Sequence, residues 1–319
     1  MINKKDITFV VQGPIRDDTK ETLQSIRDNF SDSKIILSTW EDENIIGLEY
    51  DSVIFNIDPK GIEIKRDGKT IHIENTNRQI LSSRKGVLDV KTKYCVKTRT
   101  DLIFENDKLI NIYLSNKCKY DRDERFNFLD DRVLISSINT PNPNSFLGYV
   151  CQFSDWFYFG LTSDLVKIWD QELIERSDYL HTEDNVPDYK YKNGFNFGRF
   201  SSEQLISLSF INKYMEVNPS YFRDKNYIQL TDDILLSEFI VAEPNRIGFT
   251  FKKYEEYCKI KINIKDVKSY LAFYSVTTNY LRWKLLGERK NKRNSLILNI
   301  NNLLCKVVAY YLKKKVYKL

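Results

Sequence analysis

The chain reads as an open α/β domain with a mostly parallel central sheet and a helical, basic C-terminal extension. Three observations predict this. Short apolar runs at Ile7 to Val11, Lys34 to Thr39 and Val53 to Ile57 each close on polar residues, as buried parallel strands do. A helical period, Leu23, Ile26 and Phe30, lies between the first two. Finally, residues 251–319 carry 17 Lys+Arg against 4 Asp+Glu (+13), whereas residues 1–250 carry 32 against 40 (−8).

Composition sets the bounds. A chain of 319 residues, 42% hydrophobic and 13% aromatic with seven prolines, buries a sizeable core and is not disordered. Its five cysteines, at 95, 118, 151, 258 and 305, form no CxxC pair and leave an odd member, which fits a reducing cytoplasm. No apolar run has signal-peptide character or approaches the length of a membrane span. The basic end suits an anionic membrane leaflet, a nucleic acid or a charged partner protein, while the slightly acidic remainder speaks against a dedicated nucleic-acid binder.

In chain order, Gln12, Gly13 and Pro14 turn the chain after the first strand, and Asp17, Asp18 and Thr19 cap the helix TKETLQSIRDNF. The second strand runs into Trp40 and Glu41, the third into Asp58 and Pro59. Ligands of such sheets gather beyond these ends. GxGxxG and GxxxxGK[ST] are both absent, so a nucleotide is held another way. Residues 61–73, with Asp67-Gly68, predict a hairpin. A helix over Glu74 to Leu88 follows, with Asn75, Asn77, Arg78, Arg84 and Lys85 outward or at its start, where phosphates bind well.

Tyr94 to Glu105, YCVKTRTDLIFE, is the centre of the pattern. Alternation on both sides of RTD predicts a strand ending in a cleft, with Arg99 placed to grip phosphate and Asp101 available to a divalent metal. A surface ion pair at a strand edge is the competing reading. A helix over Asp107 to Tyr113, a charged connector, a strand over Val133 to Ser137 and an irregular Asn/Pro loop come next. Aromatic residues then cluster around Ser154 and Asp155, before a helix capped by Thr162 or Ser163. Rings beside a carboxylate suit a sugar; the same rings also suit a core. Residues 178–200 read as a long loop or lid containing His181, a candidate metal ligand with Asp101. Glu203 stands at the start of SSEQLISLSFINKY beside Arg199, either as a general base or as part of the helix cap. Tyr227 to Glu243 reads as a strand passing into a helix, and a boundary falls near 250. Beyond it come helical sections over Asp266 to Leu286 and Ser295 to Tyr317. In the last, Leu296, Ile300, Leu303, Leu304, Val307, Val308 and Tyr311 make a broad apolar stripe beside Lys306 and Lys313 to Lys315.

Taken together, ITFVVQGPI, TLQSIRDNF, IILSTWE, NTNRQILSSRKG, VKTRTDLIF and SDWFYFG resemble the WavE lipopolysaccharide-synthesis family over about residues 5–250. The resemblance implies a GT-A-like nucleotide-sugar-binding domain (1–250) with a helical C-terminal region (251–319) for membrane or subunit association. It implies a glycosyltransferase at the inner face of the cell membrane, moving sugar from a nucleotide-sugar donor to a lipopolysaccharide, capsule or related acceptor. By this likeness Gln12, Gly13 and Pro14 border the nucleoside, Glu41 contacts base or ribose, and Asn77 and Arg78 reach the diphosphate. Asp101 corresponds to the last carboxylate of a DxD motif whose first position is Arg99. That substitution leaves Mn²⁺ or Mg²⁺ dependence open. Glu203 is the preferred base and Asp155 the sugar-binding carboxylate. The alternatives are a polyol-phosphate or sugar-phosphate transferase, or a non-enzymatic glycan or nucleic-acid binding protein. A homo-oligomer is compatible with all of these.

Overall fold

The computed structural model describes residues 2–66, 69–145, 148–179, 199–254 and 277–316. The first apolar run is strand β1 (Ile7–Gln12), buried at all six positions, as expected of a strand covered on both faces. It pairs in parallel with β2 (Lys34–Trp40) on one side and β6 (Tyr94–Arg99) on the other, Val10 lying opposite Ile36 and Lys97. Outside β2 lies β3 (Ser52–Asn56), also parallel. On the far side of β6 come β9 (Tyr158–Leu161), β8 (Val133–Ser136) and β10 (Phe239–Ala242), giving the order β10-β8-β9-β6-β1-β2-β3. Pairing of β9 with both β6 and β8 is antiparallel; every other pairing in this sheet is parallel. Six of the seven strands therefore end at one edge, and β9 begins there. This mostly parallel sheet is consistent with the expected GT-A-like α/β domain.

Two small antiparallel pairs complete the strands. The predicted hairpin is β4 (Ile62–Arg66) with β5 (Lys69–Glu74), Ile62 opposite Glu74; its Asp67-Gly68 turn lies outside the described residues. The short β7 (Ile103–Phe104) pairs with β11 (Phe249–Thr250). The helices are α1 (Thr19–Asn29), α2 (Thr76–Asp89), α3 (Lys108–Asn116), α4 (Thr162–Trp169), α5 (Arg176–Tyr179), α6 (Ser202–Ile211), α7 (Ile228–Glu238), α8 (Pro244–Ile247), α9 (Tyr280–Gly287) and α10 (Lys292–Val316).

Helix α2 matters most for the cleft, and its sequence SSRKG explains its seat. A Cβ on Gly86 would stand 2.3 Å from Val10 Cγ1, so only glycine lets the helix lie this close to β1. One turn earlier Ser82 is hydrogen-bonded to Gln12 at 2.6 Å, while Ser38 Oγ donates to the Ser82 carbonyl at 2.8 Å. The helix start is thereby fixed relative to the ends of β1 and β2.

Three expectations need correction. Residues 227–243 run helix first and strand second, α7 then β10, because the apolar stretch ILLSEFIV supplies both a buried helix face and a buried strand. Strand β9 was not expected, since its four continuous apolar residues carry no alternation. Neither Thr162 nor Ser163 caps α4: its N-cap is Leu161, without a side-chain bond. The lid over 178–200 and the section from Asp266 fall largely on 180–198 and 255–276, outside the described residues.

The charge boundary near 250 is not a break in the core. Trp283, buried in α9, donates from Nε1 to the Phe239 carbonyl of β10 at 2.8 Å. Beside it the buried Arg282 guanidinium meets both oxygens of Asp232 on α7, at 2.9 and 2.7 Å. Desolvation of such a pair is offset only when both partners are present and well aligned.

Candidate functional site

At the common strand edge the loops after β1 and β6 are joined. Gly13 adopts φ +118°, a left-handed conformation natural to glycine, and its N–H donates to the Ser38 carbonyl at 3.0 Å. Thr100 Oγ1 donates to the Pro14 carbonyl at 2.7 Å. Between these loops, the end of β2 and the start of α2 lies a cleft of about 460 Å³. Gln12, Gly13, Pro14, Arg78, Arg99 and Asp101 all line it, so six of the sequence-derived binding residues meet in one place.

Arg99 and Asp101 form a fork: Nε meets Oδ1 and Nη2 meets Oδ2, both at 2.8 Å. The guanidinium lies beside the rings of Trp156 and Phe251, 5.5 and 5.3 Å from their centroids, and the two rings pack edge to face at 4.9 Å. Arg16 Nε stands 3.4 Å from the same Asp101 Oδ2. Both oxygens of this buried carboxylate thus face guanidinium groups, an environment that does not fit a divalent metal. Among the described residues no three His, Cys, Asp or Glu groups form a potential metal cluster. His181, the other expected ligand, lies outside the described residues.

The second arginine at the cleft is Arg78 on the first turn of α2. It forks onto Asp58, Nε to Oδ1 at 2.8 Å and Nη2 to Oδ2 at 2.6 Å, and Nη1 reaches Asn75 Oδ1 at 2.7 Å. Hydrogen bonding to Arg78 is the main cause holding the Asp58 carboxyl below its ordinary range. Asn77, one residue earlier on the helix, instead exchanges two hydrogen bonds with the backbone of Ile174, at 2.9 and 2.8 Å. Glu41 does not line the cleft either; Trp40, Asp42 and Glu43 do. Arg16 and Asp58 line it as well; Asp58 stands at the polar end of the third strand but was given no role from sequence, and nothing in the local pattern of Arg16 marks it.

The predicted catalytic residues Asp155 and Glu203 do not line this cleft; they belong to a neighbouring group around Lys97, two residues before Arg99. Its side chain is fully buried, with Nζ bonded to the Asp155 carbonyl and 4.2 Å from the Trp169 ring centroid. Burial lowers its pKa to about 7, against the opposing pull of the Asp155 charge. Asp155 is delivered by the segment that leads into the reversed strand β9. Its Oδ1 is buried with no hydrogen-bond partner among the described residues. Such an acceptor is costly unless something donates to it.

Glu203, at the start of α6, interacts electrostatically with Asp155 and with Glu74. Its Oε1 accepts from Asn139 Nδ2 at 2.7 Å, and Asn139 itself takes a left-handed φ of 60°. The capping box of α6 pairs Ser201 with Gln204, so Glu203 is not its carboxylate partner. Burial first, and the Asp155 charge second, raise the Glu203 pKa to about 8; hydrogen bonds at the helix start oppose the rise. Arg199 lies elsewhere, bonded to Asn218 and Pro219. Glu74, at the end of β5, accepts from Thr76 and Ser202 and so ties the Glu203 wall back to the start of α2.

A wider cleft of about 600 Å³ opens around Arg84, Arg199 and Lys213. Its cations are engaged: Arg84 pairs with Asp170 at 2.7 Å, and Lys213 donates to the Lys167 and Asp170 carbonyls. Paired guanidiniums, loop glycine and buried carboxylates converge at the strand edge instead.

No curated protein matches the sequence. The family model described as WavE lipopolysaccharide synthesis matches residues 7–317, which extends the resemblance through the C-terminal helices. With nearly the whole chain covered, the protein belongs to the WavE lipopolysaccharide synthesis family and is a biosynthetic enzyme of that pathway.

Proposed function

We propose that the protein transfers a sugar from a nucleotide-sugar donor to a growing surface glycan. The observation that carries this reading is the meeting, in one cleft at the strand edge, of two guanidinium forks; Asp155 and Glu203 lie outside its lining. The cleft between Gly13 and Arg78 would take the nucleoside diphosphate, with Trp40, Asp42 and Glu43 on the nucleoside side. Asp58 and Asp101 hold Arg78 and Arg99 extended, so that phosphate oxygens can replace the carboxylates in a ready bidentate geometry.

Chemistry follows from where charge develops. The bond between the anomeric carbon and the β-phosphate oxygen breaks, and negative charge grows on the departing diphosphate. Arg99, Arg78 and Arg16 stabilise that charge. An acceptor hydroxyl oxygen bonds to the anomeric carbon while its proton passes to ionised Glu203, and Asp155 Oδ1 accepts from a sugar hydroxyl. A base whose pKa lies near the working pH combines availability with driving force. Direct attack of this kind inverts the anomer.

The test is a screen of nucleotide-sugar donors for hydrolysis and transfer by the purified chain, with mass analysis of the product. Turnover of one donor with an unphosphorylated sugar in the product supports the reading. Phosphate carried over with the sugar establishes a sugar-phosphate transferase instead, and no turnover or binding of any donor defeats both.

A further inference from the structure

We propose that α10 docks the enzyme on an anionic lipid surface. Residues 289–319 contain nine Lys and Arg and no Asp or Glu. Leu296, Ile297, Ile300, Leu303 and Leu304 are all exposed, Leu296 and Leu303 at 60% and 61%. At about 100° per residue these five side chains fall within an arc of about 120°. Leu298 and Cys305, on the opposite side, are buried. Cys305 meets Asn142 Nδ2 at 3.4 Å, so the helix already has its protein-facing side and leaves the aliphatic side uncovered among the described residues.

Charge selects the occupant. Lys292 and Arg293, both exposed, precede Leu296 by four and three residues and so share its side of the helix. Two copies of this face brought together around a two-fold axis would meet with like charges and no acid to neutralise them. Phosphate headgroups supply the missing negative charge while the aliphatics enter the acyl boundary. At 25 residues the helix is long, yet among the described residues no helix is apolar enough to cross a membrane, which leaves it in the interfacial plane. The loop from Asn139 to Asn142 connects this helix to the site: Asn142 meets Cys305 on the helix, and Asn139 holds Glu203. A lipid-borne acceptor would approach the carboxylate wall from the surface on which the enzyme rests.

The experiment is flotation of the full chain with phosphatidylcholine vesicles, with and without about 30% phosphatidylglycerol, alongside the Leu296→Glu/Leu303→Glu variant. Expected results are at least about tenfold stronger partition onto the anionic vesicles and a similar loss between about 0.1 and 0.5 M salt. The double variant loses about tenfold in partition while its melting temperature and native mass stay unchanged. Equal or absent binding to the two vesicle types overturns the proposal. So does a lipid-free dimer that the double variant turns into a monomer, which would make the face an interface between copies. Because the assay reads lipid alone, a failed donor screen leaves its outcome intact.

Discussion

Arg99 holds both oxygens of Asp101 at 2.8 Å while its guanidinium rests against the packed rings of Trp156 and Phe251. If RTD corresponds to a DxD motif, as the resemblance implies, its first carboxylate is replaced by a guanidinium, to which Asp101 is bound. Donor turnover is expected to change by less than about twofold on treatment with EDTA. Arg99→Lys keeps the charge but loses the planar fork and the ring contacts, and should cost on the order of 10²-fold in kcat/KM. Loss of activity on chelation, restored by Mn²⁺, would refute this.

With Glu203 as the base of the proposed transfer, its ionisation should set the pH dependence of that step. Its pKa of about 8 means that near pH 7 the carboxyl mostly carries the proton it must lose before acting as a base. The rate should therefore climb with pH and level off above about 8. Glu203→Gln should lower kcat by about 10²- to 10⁴-fold and abolish the climb, while donor binding persists. A pH-rate profile of both proteins checks this.

Lys97 and Glu203 should leave opposite marks on stability. For Lys97, with a folded pKa near 7 against an ordinary 10.5, the unfolded chain holds more protons between those values. Stability from this group therefore rises as pH goes from about 7 toward 10.5. For Glu203, raised from 4.5 to about 8, the folded chain holds more protons in that window, so stability falls as pH rises through it. Calorimetric melting from acid to alkali should show a shallow minimum near neutrality. Lys97→Met should flatten the alkaline limb and Glu203→Gln the acid one.

The buried pair between Arg282 and Asp232 makes α9 part of the fold. Asp232→Ala leaves a guanidinium without its partner in the core and should cost about 3–5 kcal/mol in urea unfolding. Replacing both with apolar residues, Arg282→Met with Asp232→Leu, should cost much less, because no charge is then stranded. Equal losses for the single and double variants would contradict the pairing.

Strand runs at Ile7 and Lys34 were legible because burial on both faces demands continuous apolar sequence, and the polar residues after each marked the ligand edge. Val53 opens an apolar run that proves to be the half-exposed edge strand, and the RTD segment was legible from the alternation around it. Orientation around a helix was not: Asn77 and Arg78 are adjacent, and one turn of about 100° sends the first to Ile174 and the second to the cleft. Glu41 was displaced by one or two residues, as loop ends usually are. The union of Arg16 with Asp101 and of Asp58 with Arg78 depends on tertiary approach across different loops, which local sequence does not encode. Strand β9 escaped because four apolar residues beside a helix carry no period of their own.

That reversed strand divides the site by how its parts can vary. On the proposed function, the diphosphate side would be carried mainly by segments that leave parallel strands or open α2, and Gly86 leaves that helix no room to slide. The carboxylate side is assembled from residues that approach β9 through the long Asn/Pro connection, together with the first turn of a separate helix. Insertions or exchanges in that connection would remodel which acceptor is admitted while the grip on the activated sugar stays constant. Such a division would let close relatives build different surface polysaccharides from the same activated precursor.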